Sequence, residues 1–209
     1  MKSTHGHDFR PVNFLEKTQV DGLTDGFESK LDIEKQKNIS RQTFWTLTCL
    51  KVIFATLLLG GSFRLYIGEA EWIFMNNVNL IFHEAGHVLF MFFGSFLYAL
   101  GGTLAEILIP SVIIVYFLMK QNHYGVGFGL WWLSIAFWSI SIYVGDARER
   151  VLPLLGGGEG HDWAYLLGRL NIMEYDIFLA NIFLLFSVVA VSFAVLYFYN
   201  DILRNYRSR

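Results

Sequence analysis

The chain has 209 residues, with 16 Lys+Arg against 18 Asp+Glu, a formal net charge of -2, and a composition that is 54% hydrophobic, 17% aromatic and 16% charged. These values are too apolar for an ordinary soluble domain and, with the apolar residues gathered in long runs, predict an all-α, polytopic integral membrane bundle. The near-neutral charge, without an Arg/Lys stripe interleaved with aromatics, argues against nucleic-acid binding. The single cysteine, Cys49, rules out an intrachain disulfide and a thiolate zinc site, so any metal must be held by histidine and carboxylate.

Residues 1–42 are polar and carry both signs of charge, as in Asp32-Ile33-Glu34-Lys35-Gln36-Lys37, and read as a cytoplasmic tail. No apolar segment near Met1 resembles a secretory signal, so the first span is expected to act as an uncleaved anchor. His5 and His7 lie in this tail and read as solvated. The transmembrane domain is expected over residues 43–200, followed by a basic tail, 201–209, with Arg204, Arg207 and Arg209.

The first span, from Phe44 to about Gly61, is interrupted by Lys51, which must snorkel or pair inside the bundle. Glu69, Glu71 and Trp72 then mark an interface, and a second apolar run extends from about Trp72 to Leu100. This run carries Phe82-His83-Glu84-Ala85-Gly86-His87-Val88. On a helix, His83 and His87 are four positions apart and project from one face, where two neutral imidazoles can bind one Zn²⁺. Glu84, one position on, is placed to take a proton from a water there. The competing reading is a structural polar cluster, but ionisable residues in a bilayer each cost roughly 2.5–3.5 kcal/mol on insertion scales, and a metal would offset that.

Gly101-Gly102 is expected to turn the chain, after which Thr103 to Met119 returns across the membrane with Pro110 inside it, and Lys120-Gln121-Asn122-His123 closes that span. Gly125 to Val144 follows, with Trp131, Trp132 and Trp138 read as packing and interfacial residues. Gly145 to Tyr165 is too polar for a span and too Gly-rich for a continuous helix, and Ile177 to Tyr199 forms the last span. The total is about five spans plus a Gly-rich re-entrant or crossing segment.

A zinc site needs a third protein ligand and an open position. With a turn at Gly101, His87 lies roughly 21 Å of helix before it and Glu106 about 6 Å after it, so Glu106 is expected to miss the metal. The motif then lies toward the side opposite that turn. If residues 151–160 cross in extended form, they reach roughly 33 Å and bring His161 and Asp162 to the motif. Crossing also gathers Lys35, Lys37, Arg41, Arg148, Arg150 and the terminal arginines on one side, which the positive-inside rule makes cytoplasmic. His161 and Asp162 are thus the favoured further ligands, with Asp146 and His123 as competitors.

His83-Glu84-Ala85-Gly86-His87 in an apolar helix, with a later intramembrane aspartate, resembles the site-2-protease-like class of membrane-embedded zinc metallopeptidases. The resemblance covers about residues 72–175. It implies zinc on His83, His87 and Asp162, Glu84 as general base, and hydrolysis of peptide bonds at or within the bilayer. In that class the distant Asp is usually followed by Gly; here Trp163 follows. The expected partners are the lipid bilayer and a membrane-protein or peptide substrate, and the expected location is a bacterial plasma membrane with both termini cytoplasmic. A non-catalytic metal-binding scaffold and an ion or proton transporter using the same His, Glu and Asp residues are the alternatives.

Overall fold

The computed structural model describes residues 14–70, 72–153 and 160–207. Glu71, the tail with His5 and His7, the run Gly156-Gly157-Gly158-Glu159 and Arg209 lie outside the described residues. Among the described residues six α-helices follow one another: α1 Phe14–Tyr66, α2 Phe74–Phe90, α3 Ser95–Met119, α4 His123–Gly145, α5 Asp162–Leu170 and α6 Asp176–Arg207. Short 3₁₀ turns, Met91–Phe93 and Met173–Tyr175, precede α3 and α6. Among the described residues there is no strand. The chain divides into two units, Met1–Leu50 and Lys51–Arg209.

In the first unit the described residues are helical from Phe14 onward, including the polar stretch read from sequence as a tail. No proline intervenes between Pro11 and Pro110, and Glu34 and Lys37 stand three positions apart as helix neighbours, so nothing local stops the helix there.

Among the described residues four helical stretches are long and apolar enough to cross a membrane: Lys30–Tyr66, Ser95–Met119, His123–Gly145 and Met173–Arg204. The expectation of about five spans rested on an unbroken apolar run from Trp72 to Leu100. The chain instead ends α2 at Phe90 and reverses at Gly94, whose φ of +91° is a conformation that residues with a Cβ rarely adopt. The hairpin therefore turns at Gly94, not at Gly101-Gly102. Those two glycines lie inside α3 and serve close packing. A Cβ on Gly86 would come within 2.2 Å of the Gly101 carbonyl oxygen, and one on Gly102 within 2.6 Å of the His83 ring.

Within the second unit α4 and α6 are antiparallel, with Gly127 facing Phe198 at one end and Gly145 facing Ala180 at the other. Arg148 Nε donates to Asp176 Oδ2 at 2.6 Å, tying the end of α4 to the start of α6. The segment between them thus returns to the end it left. Arg204 does not gather with Arg148 and Arg150 on one side: it contacts His123 at the far end of α4. Residues 154–159, on which the choice between a re-entrant and a crossing form falls, lie outside the described residues; beyond them α5 packs against α3 and α4.

Two apolar clusters hold the unit together. One joins α4, α5 and α3 through Ile140, Val144, Trp163, Leu166, Leu167 and Ala99. The other joins α4 to α1 and α6 through Trp131, Trp132, Ile135, Ala55 and Phe198. Trp131 Nε1–H donates to Ser62 Oγ at 2.7 Å and Trp132 Nε1–H to Asn79 Oδ1 at 2.7 Å, so these tryptophans pack inside the bundle with their polar atoms satisfied. Lys51 pairs with Asp201 at 2.6 Å. The outward faces of α3 and α6 carry Leu108, Val112, Met119, Phe178, Leu185 and Phe193, an exposed apolar surface of the kind lipid covers.

Candidate metal centre

Because the hairpin closes at Gly94, His83 and His87 lie one to two turns from the end at which α4 leaves the bundle, not on the opposite side. His83 packs edge-on to Tyr143, with ring centroids 5.7 Å apart, and to His87 at 4.7 Å. Asp162 opens α5 at that same end. Trp163, which follows it, donates its Nε1–H to Thr103 Oγ1 at 3.1 Å and pins α5 to α3. The tryptophan in the position after Asp162 is thus the residue that docks the helix. The carboxylate at the first turn of α5 also sits where the helix dipole favours negative charge.

The two histidines and the aspartate converge. His83 Nε2 lies 3.0 Å and His87 Nε2 3.2 Å from Asp162 Oδ2. All three ligand atoms are within 4.8 Å of one another, and the side chains are 8%, 10% and 11% exposed. Bonds of about 2.0 Å in a tetrahedron place ligand atoms roughly 3.3 Å apart, close to these separations.

The opposite ring nitrogens are also fixed. His83 Nδ1–H donates to Glu106 Oε1 at 2.7 Å, and His87 Nδ1–H to the Tyr98 carbonyl at 2.7 Å. Both rings therefore direct Nε2 lone pairs at the convergence point, the outer arrangement that metal-ligating histidines use. With neutral imidazoles, the Asp162 carboxylate brings negative charge to the convergence point that a divalent cation would balance. Tyr143 O–H adds a hydrogen bond to Asp162 Oδ2 at 3.2 Å while accepting from the Asp162 N–H at 3.0 Å.

The remaining sequence candidates fall elsewhere. His161 caps α5, its Nδ1 accepting from the Ala164 N–H at 3.2 Å, and its Nε2 faces Asp146 Oδ2 at 3.4 Å, outside the convergent group. Burial holds its imidazole below the usual value, in keeping with a neutral ring that accepts. Asp146 takes the Val151 and Leu152 N–H groups at 2.9 and 3.1 Å. His123 stands at the far end of α4, about 30 Å of helix from Tyr143, against Arg204. Glu84 is exposed on α2 beside His83.

Glu106 stays outside the convergent group, as expected, though the turn on which that expectation rested lies at Gly94. It reaches the His83 ring, but on Nδ1, the side away from Asp162. Phe93-Gly94-Ser95, a glycine between an apolar run and a helix-starting serine, is the sequence signal that would have placed it. Pro110 removes the N–H that would have bonded the Glu106 carbonyl. For a metal on the two Nε2 atoms, Glu106→Gln is expected to lower affinity about 10–100-fold in a zinc titration against a competing chelator. Unchanged affinity would mean that Glu106 does not orient the His83 ring.

No family model, curated protein or solved structure matches the chain. Its own side chains are therefore the ground for a functional reading.

Proposed function

We propose that the chain is a membrane-embedded, zinc-dependent peptidase that hydrolyses peptide bonds at or within the bilayer. The observation that carries this reading is the convergence of His83 Nε2, His87 Nε2 and Asp162 Oδ2, with each histidine held from behind. Three protein ligands of this N,N,O type leave a position open, which is the catalytic rather than the structural pattern for zinc. Zinc held there supplies Lewis-acid polarisation of a carbonyl and acidification of a water.

The chain's own groups divide the remaining work. Glu84 accepts the proton of the attacking water and returns it to the nitrogen of the departing amine. An exposed carboxylate on a helix of a membrane bundle is tolerable where water reaches it, and the site's place near one end of the bundle provides that access. Glu106 and the Tyr98 carbonyl keep both imidazoles in the tautomer whose Nε2 is free, and Tyr143 steadies the Asp162 carboxylate.

In this reading the end of the bundle with Lys51, Lys120 and Arg204 is cytoplasmic, and the site opens at the other end of a plasma-membrane protein. Lys30, Lys35, Lys37 and Arg41 precede Lys51 in the chain and weigh toward the same assignment for the N-terminus, with the C-terminus following α6 to that end.

Elemental analysis of the detergent-purified protein, alongside cleavage of a quenched fluorescent peptide, tests the proposal. About one zinc per chain and zinc-dependent cleavage are expected. Folded protein that takes up no zinc on reconstitution would overturn it.

A further inference from the structure

A cleft of about 380 Å³, within the size range of small-molecule sites, borders Asp162 and is lined also by Ser95, Tyr98, Arg150, His161 and Tyr165. Asp162 ties the cleft to the two histidines. Arg150 is the cationic side chain in that lining. Its backbone sits at φ +54°, a region sparsely populated by residues with a side chain. That conformation is built in. The Arg150 N–H donates to the Asp146 carbonyl at 2.8 Å, and the Asp146 carboxylate takes the next two N–H groups, so a buried aspartate fixes the turn that holds Arg150 at the cleft.

Two arginines in this turn behave differently. Arg148 is engaged by Asp176 at 2.6 Å. For Arg150 the contact is one long hydrogen bond from Nε to the Ala147 carbonyl, 3.4 Å, and among the described residues no carboxylate lies within ion-pair distance of its guanidinium. A guanidinium presents a planar fork suited to a carboxylate, and this one stands exposed at a cleft with no carboxylate of the described residues in ion-pair contact.

We infer that Arg150 anchors a carboxylate of the substrate peptide, so that the enzyme selects peptides bearing an acidic group beside the bond it cuts. The inference rests on the peptidase reading and names its substrate class. The carboxylate is either an acidic side chain or the C-terminus of the peptide.

The test uses the full chain in detergent, in the Glu84→Gln form so that peptides survive, and reads binding of short labelled peptides by fluorescence anisotropy. Four peptides of one sequence carry Glu or Gln at one position and a free acid or an amide at the C-terminus. The carboxylate forms are expected to bind about tenfold more tightly than their neutral counterparts. Arg150→Gln is expected to erase that preference while leaving neutral peptides unaffected, and Arg150→Lys to retain part of it. Preference that follows the side chain identifies an acidic residue, and preference that follows the terminus identifies a C-terminal carboxylate. In turnover by the Glu84-containing protein, the Arg150→Gln loss is expected in KM and not in kcat. Equal binding of all four peptides, or a preference that survives in Arg150→Gln, would overturn the inference. Zinc content and cleavage of the neutral peptide report separately on the peptidase reading, so either can fail alone.

Discussion

Replacing Glu84 by Gln is expected to lower peptide hydrolysis about 10²–10⁴-fold while leaving zinc content unchanged. Glu84 is exposed and is not among the atoms that converge at the centre, so the substitution removes a proton acceptor without removing a ligand or a packing contact. The amide has nearly the same shape as the carboxylate but cannot take up the proton of a water. The check is kcat for the quenched peptide measured with elemental analysis on the same preparation. Zinc retained with activity lost fits the proposed role. Activity retained would remove Glu84 from the chemistry and leave a metal-binding helix in need of another base.

Asp162→Ala is expected to reduce zinc affinity by more than the roughly 100-fold that loss of a partner behind a ligand histidine brings, because a ligand atom itself is lost. His83 and His87 Nε2 both face the same Asp162 oxygen, and Tyr143 O–H donates a hydrogen bond to it. Asp162→Asn is a sharper comparison, since it keeps the volume and an oxygen but discards the charge that balances a cation. Competition titration with a chelating dye measures both. Wild-type affinity in Asp162→Ala would show that the third ligand lies elsewhere, and the site as drawn would fall.

His83, Glu84 and His87 were legible because helix periodicity alone puts positions four apart on one face, whatever surrounds them. Asp162 was legible as a candidate, but for a motif set at the wrong end. The expected route carried residues 151–160 across the bundle; the antiparallel pairing of α4 and α6 shows a return to the same end, with the motif already there. One misplaced turn produced both that error and the distance expected between Glu106 and the motif. A glycine in an apolar run can reverse the chain or admit a neighbouring helix, and composition does not separate the two. Gly94 does the first and Gly101 and Gly102 do the second. The roles of Tyr98 and Tyr143 had no pattern to reveal them: one contributes a backbone oxygen, and the other meets Asp162 only after α5 has folded back.

The contact between Gly86 and Gly101 makes the two variable letters of His-Glu-x-x-His unequal in this chain. Ala85 faces outward and leaves room for many side chains, whereas position 86 meets backbone, which cannot rotate aside as a flexible side chain would. Randomising the pair would return a broad alphabet at one letter and a single symbol at the other. The helix surface between the two histidines is thus a fitted seam. It fixes how far the imidazoles stand from α3 before any cation arrives, so little rearrangement is left for binding to drive.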